Sequence, residues 1–168
     1  TPEQVERAIL EEREKPFAVY LTSPDYLGNI ADIRGISRVC GKYGVRLLVD
    51  NAHGAYLKFL PESRHPMDLG ADLCCDSAHK TLPVLTGGAY LHFREEGMRG
   101  KVKDAMALFG STSPSYLIMQ SLDRANPHLE GLPQRLRTFA PWVAALKDRL
   151  LERGLTLAGE EPLKLTWM

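Results

Sequence analysis

The chain has 168 residues, with 21 basic and 21 acidic side chains and a formal net charge of zero. This length suffices for one domain with a buried core, and the balanced charge gives no argument for a nucleic-acid or anionic membrane partner. No apolar run approaches the roughly 20 residues of a membrane-spanning helix. The sequence begins at Thr1 and shows no signal peptide, so we expect a fragment or a processed chain.

The apolar residues follow a pattern of alternating helices and strands. The predicted helices span residues 2–15, 30–43, 95–108, 114–125 and 133–153; the predicted strands span 17–21, 45–49, 88–93 and 162–167, and residues 68–75 lead into a further one. This order predicts an α/β fold of three layers, with a mostly parallel sheet and helices on both faces. We place residues 1–131 in the sheet domain and residues 132–168 in a connecting helix that starts a C-terminal domain.

The three cysteines, Cys40, Cys74 and Cys75, have no CxxC spacing and form no even-numbered framework. This usage favours a reduced, cytoplasmic location. We interpret Cys74 and Cys75 as small apolar residues of a buried strand. A reactive thiol or a metal-binding pair is the alternative, and we predict no metal site.

Polar clusters follow three of the predicted strands, at residues 22–23, 50–53 and 77–80. In open parallel sheets, ligands collect beyond the carboxyl ends of the strands. Lys80 follows one apolar run beside His79, and Asp50 ends another. Pyridoxal phosphate (PLP) needs an amine that holds its aldehyde as a Schiff base, and an acid that keeps its pyridine nitrogen protonated. These side chains therefore indicate a PLP site.

Four segments then suggest a family: LTSPDYLG at 21–28, VDNAHGA at 49–55, DSAHKTLP at 76–83 and STSPSY at 111–116. In this order they resemble the ornithine/lysine/arginine decarboxylases, which are aspartate-aminotransferase-like PLP enzymes of fold type I. The resemblance runs across nearly the whole chain and places it in the second half of the PLP-binding large domain. It implies decarboxylation of a basic amino acid to its amine, in a homodimer or larger homo-oligomer whose active site lies at the subunit interface.

The resemblance also implies catalytic roles for three residues. Lys80 matches the Schiff-base lysine, and Asp50 matches the partner of the pyridinium nitrogen, whose protonation a nearby carboxylate favours. Either Lys80 or His79 would return a proton to the α-carbon after the carboxylate is lost. The alternative role of Asp50 is a helix or turn cap.

The remaining cofactor contacts are implied in the same way. Ala52 matches the small residue that packs against one face of the ring, and His53 could reach the cofactor oxygen or the substrate carboxylate. A structural histidine is the alternative for His53. Ser77 and His79 match ligands of the phosphate, and a local turn bond is the alternative for Ser77.

Four further residues lie in the outer matching segments. Thr112 and Ser113 would reach the phosphate bound by the partner subunit, and they could also cap the helix predicted at 114. Thr22 and Tyr26 lie on the loop that faces the cofactor in the family, which implies contact with the substrate.

The family also carries a Gly/Ser-rich phosphate loop and a ring-stacking aromatic residue upstream of the aspartate strand, and the resemblance finds neither here. We therefore expect this chain alone to bind PLP weakly, to decarboxylate little, and to expose an apolar sheet edge or face. Two alternatives stay open: another fold type I enzyme, such as an aminotransferase or an oxoamine synthase, and a non-catalytic fragment.

Overall fold

A computed structural model describes residues Thr1–Met168. Its main sheet has four strands in the order β1 (Ala18–Thr22), β2 (Arg46–Asp50), β3 (Leu73–Asp76) and β4 (Tyr90–Phe93). The first three strands are parallel, and β4 runs antiparallel to β3. The predicted α/β fold with a mostly parallel sheet is thus confirmed.

Seven α-helices accompany the sheet: α1 (Pro2–Glu11), α2 (Ile33–Tyr43), α3 (Pro66–Leu69), α4 (Ala78–Thr81), α5 (Arg99–Phe109), α6 (Tyr116–Glu130) and α7 (Leu132–Glu152). Short 3-10 helices cover Ala55–Phe59 and Glu96–Met98, and β5 (Leu157–Ala158) pairs with β6 (Thr166–Trp167) in a second small sheet. None of the helices is both long enough and apolar enough to cross a membrane.

The bounds of α1 and α2 follow from their end residues. The Thr1 side chain accepts a hydrogen bond from the Gln4 amide in a capping box, which starts α1. This helix ends at Glu11, earlier than predicted, because Glu12 takes an extended conformation. Gly44 ends α2 in the left-handed region with φ of 61°, where glycine is unstrained.

The core consists of two apolar clusters, which fix the loops that follow β2 and β3. The first joins α2 to the sheet through Ile33, Ile36, Cys40, Leu47, Val49 and Ala71. The second joins the 3-10 helix to α4 and α7 through Ala55, Tyr56, Leu57, Ala78, Leu82 and Leu136. The second cluster therefore holds the C-terminal helix against the segment that carries the lysine motif.

The opposite face of the sheet is only partly covered. Side chains alternate between the two faces of a strand, and Val19 and Leu21 of β1 pack against the first cluster. Tyr20, which points the other way, is 67% exposed, and Cys75 in β3 is exposed as well.

Candidate active site

Asp50 ends β2 and its carboxylate is held by two hydrogen bonds. Oδ1 accepts from the Ala52 amide at 3.0 Å, and Oδ2 lies 3.4 Å from the hydroxyl of Tyr20, which donates. Burial and the charge of Asp50 raise the pKa of Tyr20, so this hydroxyl stays a proton donor. Asp50 is adjacent to Thr22 on β1 and to Cys75 on β3, at the carboxyl edge where ligands bind in such sheets.

The buried carboxylate of Asp76 links several side chains at this edge of the sheet. The Asn51 side-chain amide donates to Asp76 Oδ1 at 2.7 Å, and Asp76 Oδ2 lies 3.0 Å from Nε2 of both His65 and His92. Burial alone would raise the pKa of Asp76, but the hydrogen bonds from His65, His92 and Asn51 outweigh it and hold this pKa below its usual range. The end of β2 is thereby joined to the end of β3.

Lys80 lies in the last turn of α4, directly after β3, and its side chain is exposed. Its Nζ lies 3.2 Å from His53 Nε2. Burial and the nearby charges of Lys80 and Lys164 lower the pKa of His53. This shift favours the neutral ring, in which one nitrogen can accept from the amine. The Tyr26 ring meets His53 edge-on, with centroids 5.2 Å apart. The structure thus brings together three of the predicted residues.

Lys80 lines an open cleft of about 600 Å3. It is lined by Tyr26, His53, Tyr56, Lys80, Thr81, Glu161, Leu163 and Lys164. Loops after β1 and β2 form one side, and the segment between β5 and β6 forms the other. The Lys164 Nζ lies over the Tyr26 ring, 5.4 Å from its centroid, and donates to the Tyr26 carbonyl oxygen at 2.6 Å.

Sequence reasoning did not identify the C-terminal contribution to this cleft or the histidines around Asp76. Tyr56 and Glu161 are hydrogen-bonded although they lie 105 positions apart in the sequence. No short motif can contain both. His65 and His92 lie outside the matching segments. The one available signal was Asp76 itself, a charged residue at the end of an apolar strand.

The two predicted phosphate ligands of the lysine motif, Ser77 and His79, differ in the hydrogen bonds that their side chains already make. Nδ1 of His79 lies 3.1 Å from the Gly88 carbonyl oxygen, which leaves Nε2 for another partner. Ser77 occupies the N-cap position of α4, and its side chain makes no capping hydrogen bond. A contact between either residue and phosphate stays a prediction.

The other predicted residues lie outside the cleft. Thr112 and Ser113 are exposed in the loop between α5 and α6, and Ser115 caps α6 in their place, with its side chain accepting from the Ile118 amide. Thr22 is exposed at the end of β1 and does not line the cleft. Ala52 is half-buried in the turn after Asp50.

A family model described as Orn/Lys/Arg decarboxylase, major domain, matches residues 1–147. The chain belongs to this family. It is 38% identical over 159 residues to the uncharacterized protein YaaO of Bacillus subtilis, covering 87% of this chain and 33% of the relative. It is 34% identical over 169 residues to an arginine decarboxylase of the same organism, covering 97% of this chain and 34% of the relative.

This decarboxylase-family chain therefore spans about a third of the length of the curated relatives it matches. Among solved structures it is similar to a serine palmitoyltransferase of Sphingomonas wittichii, with a TM-score of 0.77 at 16% identity over 98% of this chain and 42% of the other. At that identity the likeness shows the fold alone. The family predicted from the four segments is confirmed.

Proposed function

We propose that this chain carries the lysine anchor and the ring-nitrogen acid of a PLP-dependent decarboxylase for basic amino acids. The observation that carries the proposal is the position of Lys80 and Asp50. Asp50 is the last residue of β2, and Lys80 lies in α4, which comes just after β3. The two strands are adjacent and parallel, and the Asn51–Asp76 hydrogen bond joins their ends. Membership of the Orn/Lys/Arg decarboxylase family and similarity to an arginine decarboxylase support the same chemistry.

The side chains at this edge fit PLP. Lys80 offers an exposed amine at the cleft, oriented by His53. Asp50 offers a carboxylate whose two hydrogen bonds leave lone pairs for a protonated pyridine nitrogen. Ala52 keeps a small side chain beside Asp50, and Ser77 has a hydroxyl for the phosphate. When bound, PLP acts as an electron sink for the bond that breaks at the α-carbon.

The chain's own residues would then control the protons. Asp50 would keep the pyridine nitrogen protonated, since a negative charge beside that nitrogen raises its affinity for a proton. Lys80 would return a proton to the α-carbon, or His79 would do so from Nε2 when its ring carries a proton on both nitrogens, because Nδ1 faces the Gly88 carbonyl. The Gly88 carbonyl fixes the orientation of the His79 ring.

We further propose that the complete enzyme is a cytoplasmic homodimer or larger homo-oligomer. Thr112 and Ser113 would reach the phosphate bound in the partner subunit, and their exposure in the α5–α6 loop leaves them accessible for this role. Residues 1–131 would form part of the cofactor domain, with residues 132–168 leading into a C-terminal domain.

The proposal is tested by the visible absorption of PLP joined covalently to a protein amine. Wild-type chain titrated with PLP should develop this absorption, Lys80→Arg should lose it, and Lys42→Arg should retain it because Lys42 pairs with Glu6 away from the cleft. Equal absorption in all three proteins would contradict the assignment of Lys80, and its absence from wild type would favour the non-catalytic alternative.

Product analysis separates the enzymatic alternatives. When the complete enzyme is given PLP and arginine, release of carbon dioxide and the corresponding amine supports a decarboxylase. Formation of the keto acid would instead support an aminotransferase of the same fold.

A further inference from the structure

The cleft around Lys80 contains one carboxylate, Glu161, and its backbone is firmly held. Glu161 is 5% exposed. The amides of Glu160 and Glu161 both donate to the Gly28 carbonyl, at 2.8 and 2.9 Å, and Lys147 Nζ donates to the Glu161 carbonyl at 2.5 Å. Gly28, with φ of 90°, lets the loop after β1 pass against this side chain.

The Glu161 carboxylate is only half satisfied. Oε1 accepts from the Tyr56 hydroxyl at 3.2 Å, while Oε2 is buried without a hydrogen-bond partner. A buried polar atom of this kind is costly, and such exceptions in native structures call for a specific explanation. Glu161 lines the same cleft as Lys80.

No lysine or arginine of the chain forms an ion pair with the Glu161 carboxylate. Lys147 bonds to the backbone carbonyl of Glu161, and Lys164 bonds to the Tyr26 carbonyl. Burial raises the pKa of Glu161, hydrogen bonding by Tyr56 and the charges of Lys164 and Lys147 lower it, and Asp25 raises it, with a net rise. The carboxylate thus lacks the direct ion pair that a buried acid needs.

We propose that Glu161 binds the cationic end of the basic amino acid whose α-amine would replace the Lys80 amine on the PLP aldehyde. This inference rests on the proposed function and adds the residue that selects the substrate. A guanidinium offers donors in a planar fork that can satisfy both carboxylate oxygens. A neutral side chain would leave the carboxylate unpaired, and an acidic one would place two negative charges together, so both are disfavoured.

The test compares L-arginine with L-citrulline, which has a similar shape but no charge, by NMR chemical-shift titration of the cofactor-free chain. We expect arginine to bind the wild-type chain about tenfold or more tightly than citrulline, as one charge-assisted pair allows. Glu161→Gln keeps an acceptor for Tyr56 and should bring this ratio close to one. Glu160→Gln is the matched control, because Glu160 is exposed, and should keep the wild-type ratio.

Equal affinity of the wild-type chain for both amino acids, or no binding of either, would overturn the assignment. So would an unchanged preference in Glu161→Gln. Because this titration contains no PLP, its outcome is independent of the absorption test on Lys80→Arg. A chain that prefers arginine but forms no adduct with PLP would contradict the proposed function alone.

Discussion

At the scale of single residues, Asp76 has the most demanding environment in the sheet. Its side chain is 4% exposed, and it accepts from Asn51 while contacting the rings of His65 and His92. A buried charge is tolerated only when its hydrogen bonds are complete. Asp76 therefore stabilises the carboxyl edge of the sheet, although it has no assigned part in the chemistry.

Replacing this carboxylate should destabilise the fold. We expect Asp76→Asn to lower the free energy of unfolding by about 3 kcal/mol, since removing one partner of a buried charged network leaves the others unpaired. Urea denaturation monitored by circular dichroism measures the change. Asp104→Asn on the exposed surface of α5 is the control and should stay within about 0.5 kcal/mol of wild type. An Asp76→Asn chain as stable as this control would show that Asp76 does not stabilise the fold.

The pH dependence of stability has a defined sign. The pKa of Asp76 is lowered in the folded chain, whereas the pKa of an aspartate in the unfolded chain is about 3.9. Its contribution is therefore fully present above that pH and is lost as the pH falls towards the folded pKa. Between about pH 5 and pH 2, wild type should lose more stability than Asp76→Asn, and equal losses would contradict the assignment.

At the scale of elements, the turn after β2 depends on a close backbone approach at Gly54. A Cβ on Gly54 would lie 2.1 Å from Asn51 Oδ1 and 2.8 Å from Pro24 Cδ. Neither neighbour is the free end of a flexible surface side chain, because both residues are buried. The turn that orients Asp50 and His53 therefore requires glycine at this position.

A pair of glycine substitutions tests this requirement. Gly54→Ala should cost about 1–3 kcal/mol through overpacking and should weaken capture of PLP at Lys80. Gly41→Ala in α2, where a Cβ would meet nothing within 4 Å, should be neutral or stabilise the chain by about 0.5–1 kcal/mol, since alanine is the better helix former. Thermal unfolding measures both, and a tolerated Gly54→Ala would show that the turn can relax.

The elements also show what the sequence could predict. Strands β1, β2 and β4 and the long helices lie close to their predicted positions, because their apolar residues recur with the right period. The prediction was less complete for the segment before β3. Pro66–Leu69 forms a short helix, whereas the sequence pattern predicted only that residues 68–75 lead into a strand. Helix α6 continues to Glu130 through Pro127, beyond its predicted end, because packing of Ala125 and Leu129 outweighs the break expected at proline.

At the scale of the whole molecule, the chain leaves large apolar side chains uncovered around the α5–α6 loop. Helix α5 buries no residue, and Leu108, Phe109 and Tyr116 are 75%, 86% and 84% exposed. Exposed apolar side chains of this size promote association. This exposed apolar surface lies on α5 and α6 and is separate from the sheet edge or face that the sequence predicted to be exposed.

Self-association should depend on this surface. We expect the sedimentation coefficient of the wild-type chain to rise with concentration, and the double substitution Leu108→Glu with Phe109→Glu to reduce that rise because it replaces apolar surface with charge. Lys101→Glu, on the exposed surface of the same helix, changes charge without removing apolar area and should behave like wild type. A concentration-independent wild-type monomer would contradict this expectation.

Long-range contacts account for the part of the site that sequence reasoning did not find. The positions of Asp50 and Lys80 could be predicted because each lies in a short segment directly after a strand. The position of Glu161 could not, since it depends on the packing of α7, whose Leu136 lies in the second core cluster. Its neighbours in the chain, Glu160 and Pro162, carry no signal of a buried acid.

The central claim is that Lys80 is the amine that receives PLP, and peptide mapping after borohydride reduction tests it most directly. The wild-type chain is incubated with increasing PLP, reduced, digested and analysed by mass spectrometry. We expect the phosphopyridoxyl group to be found first, and at the lowest PLP concentration, on the peptide containing Lys80. Modification that begins at Lys42 or Lys58, or that spreads evenly over all lysines, would contradict it.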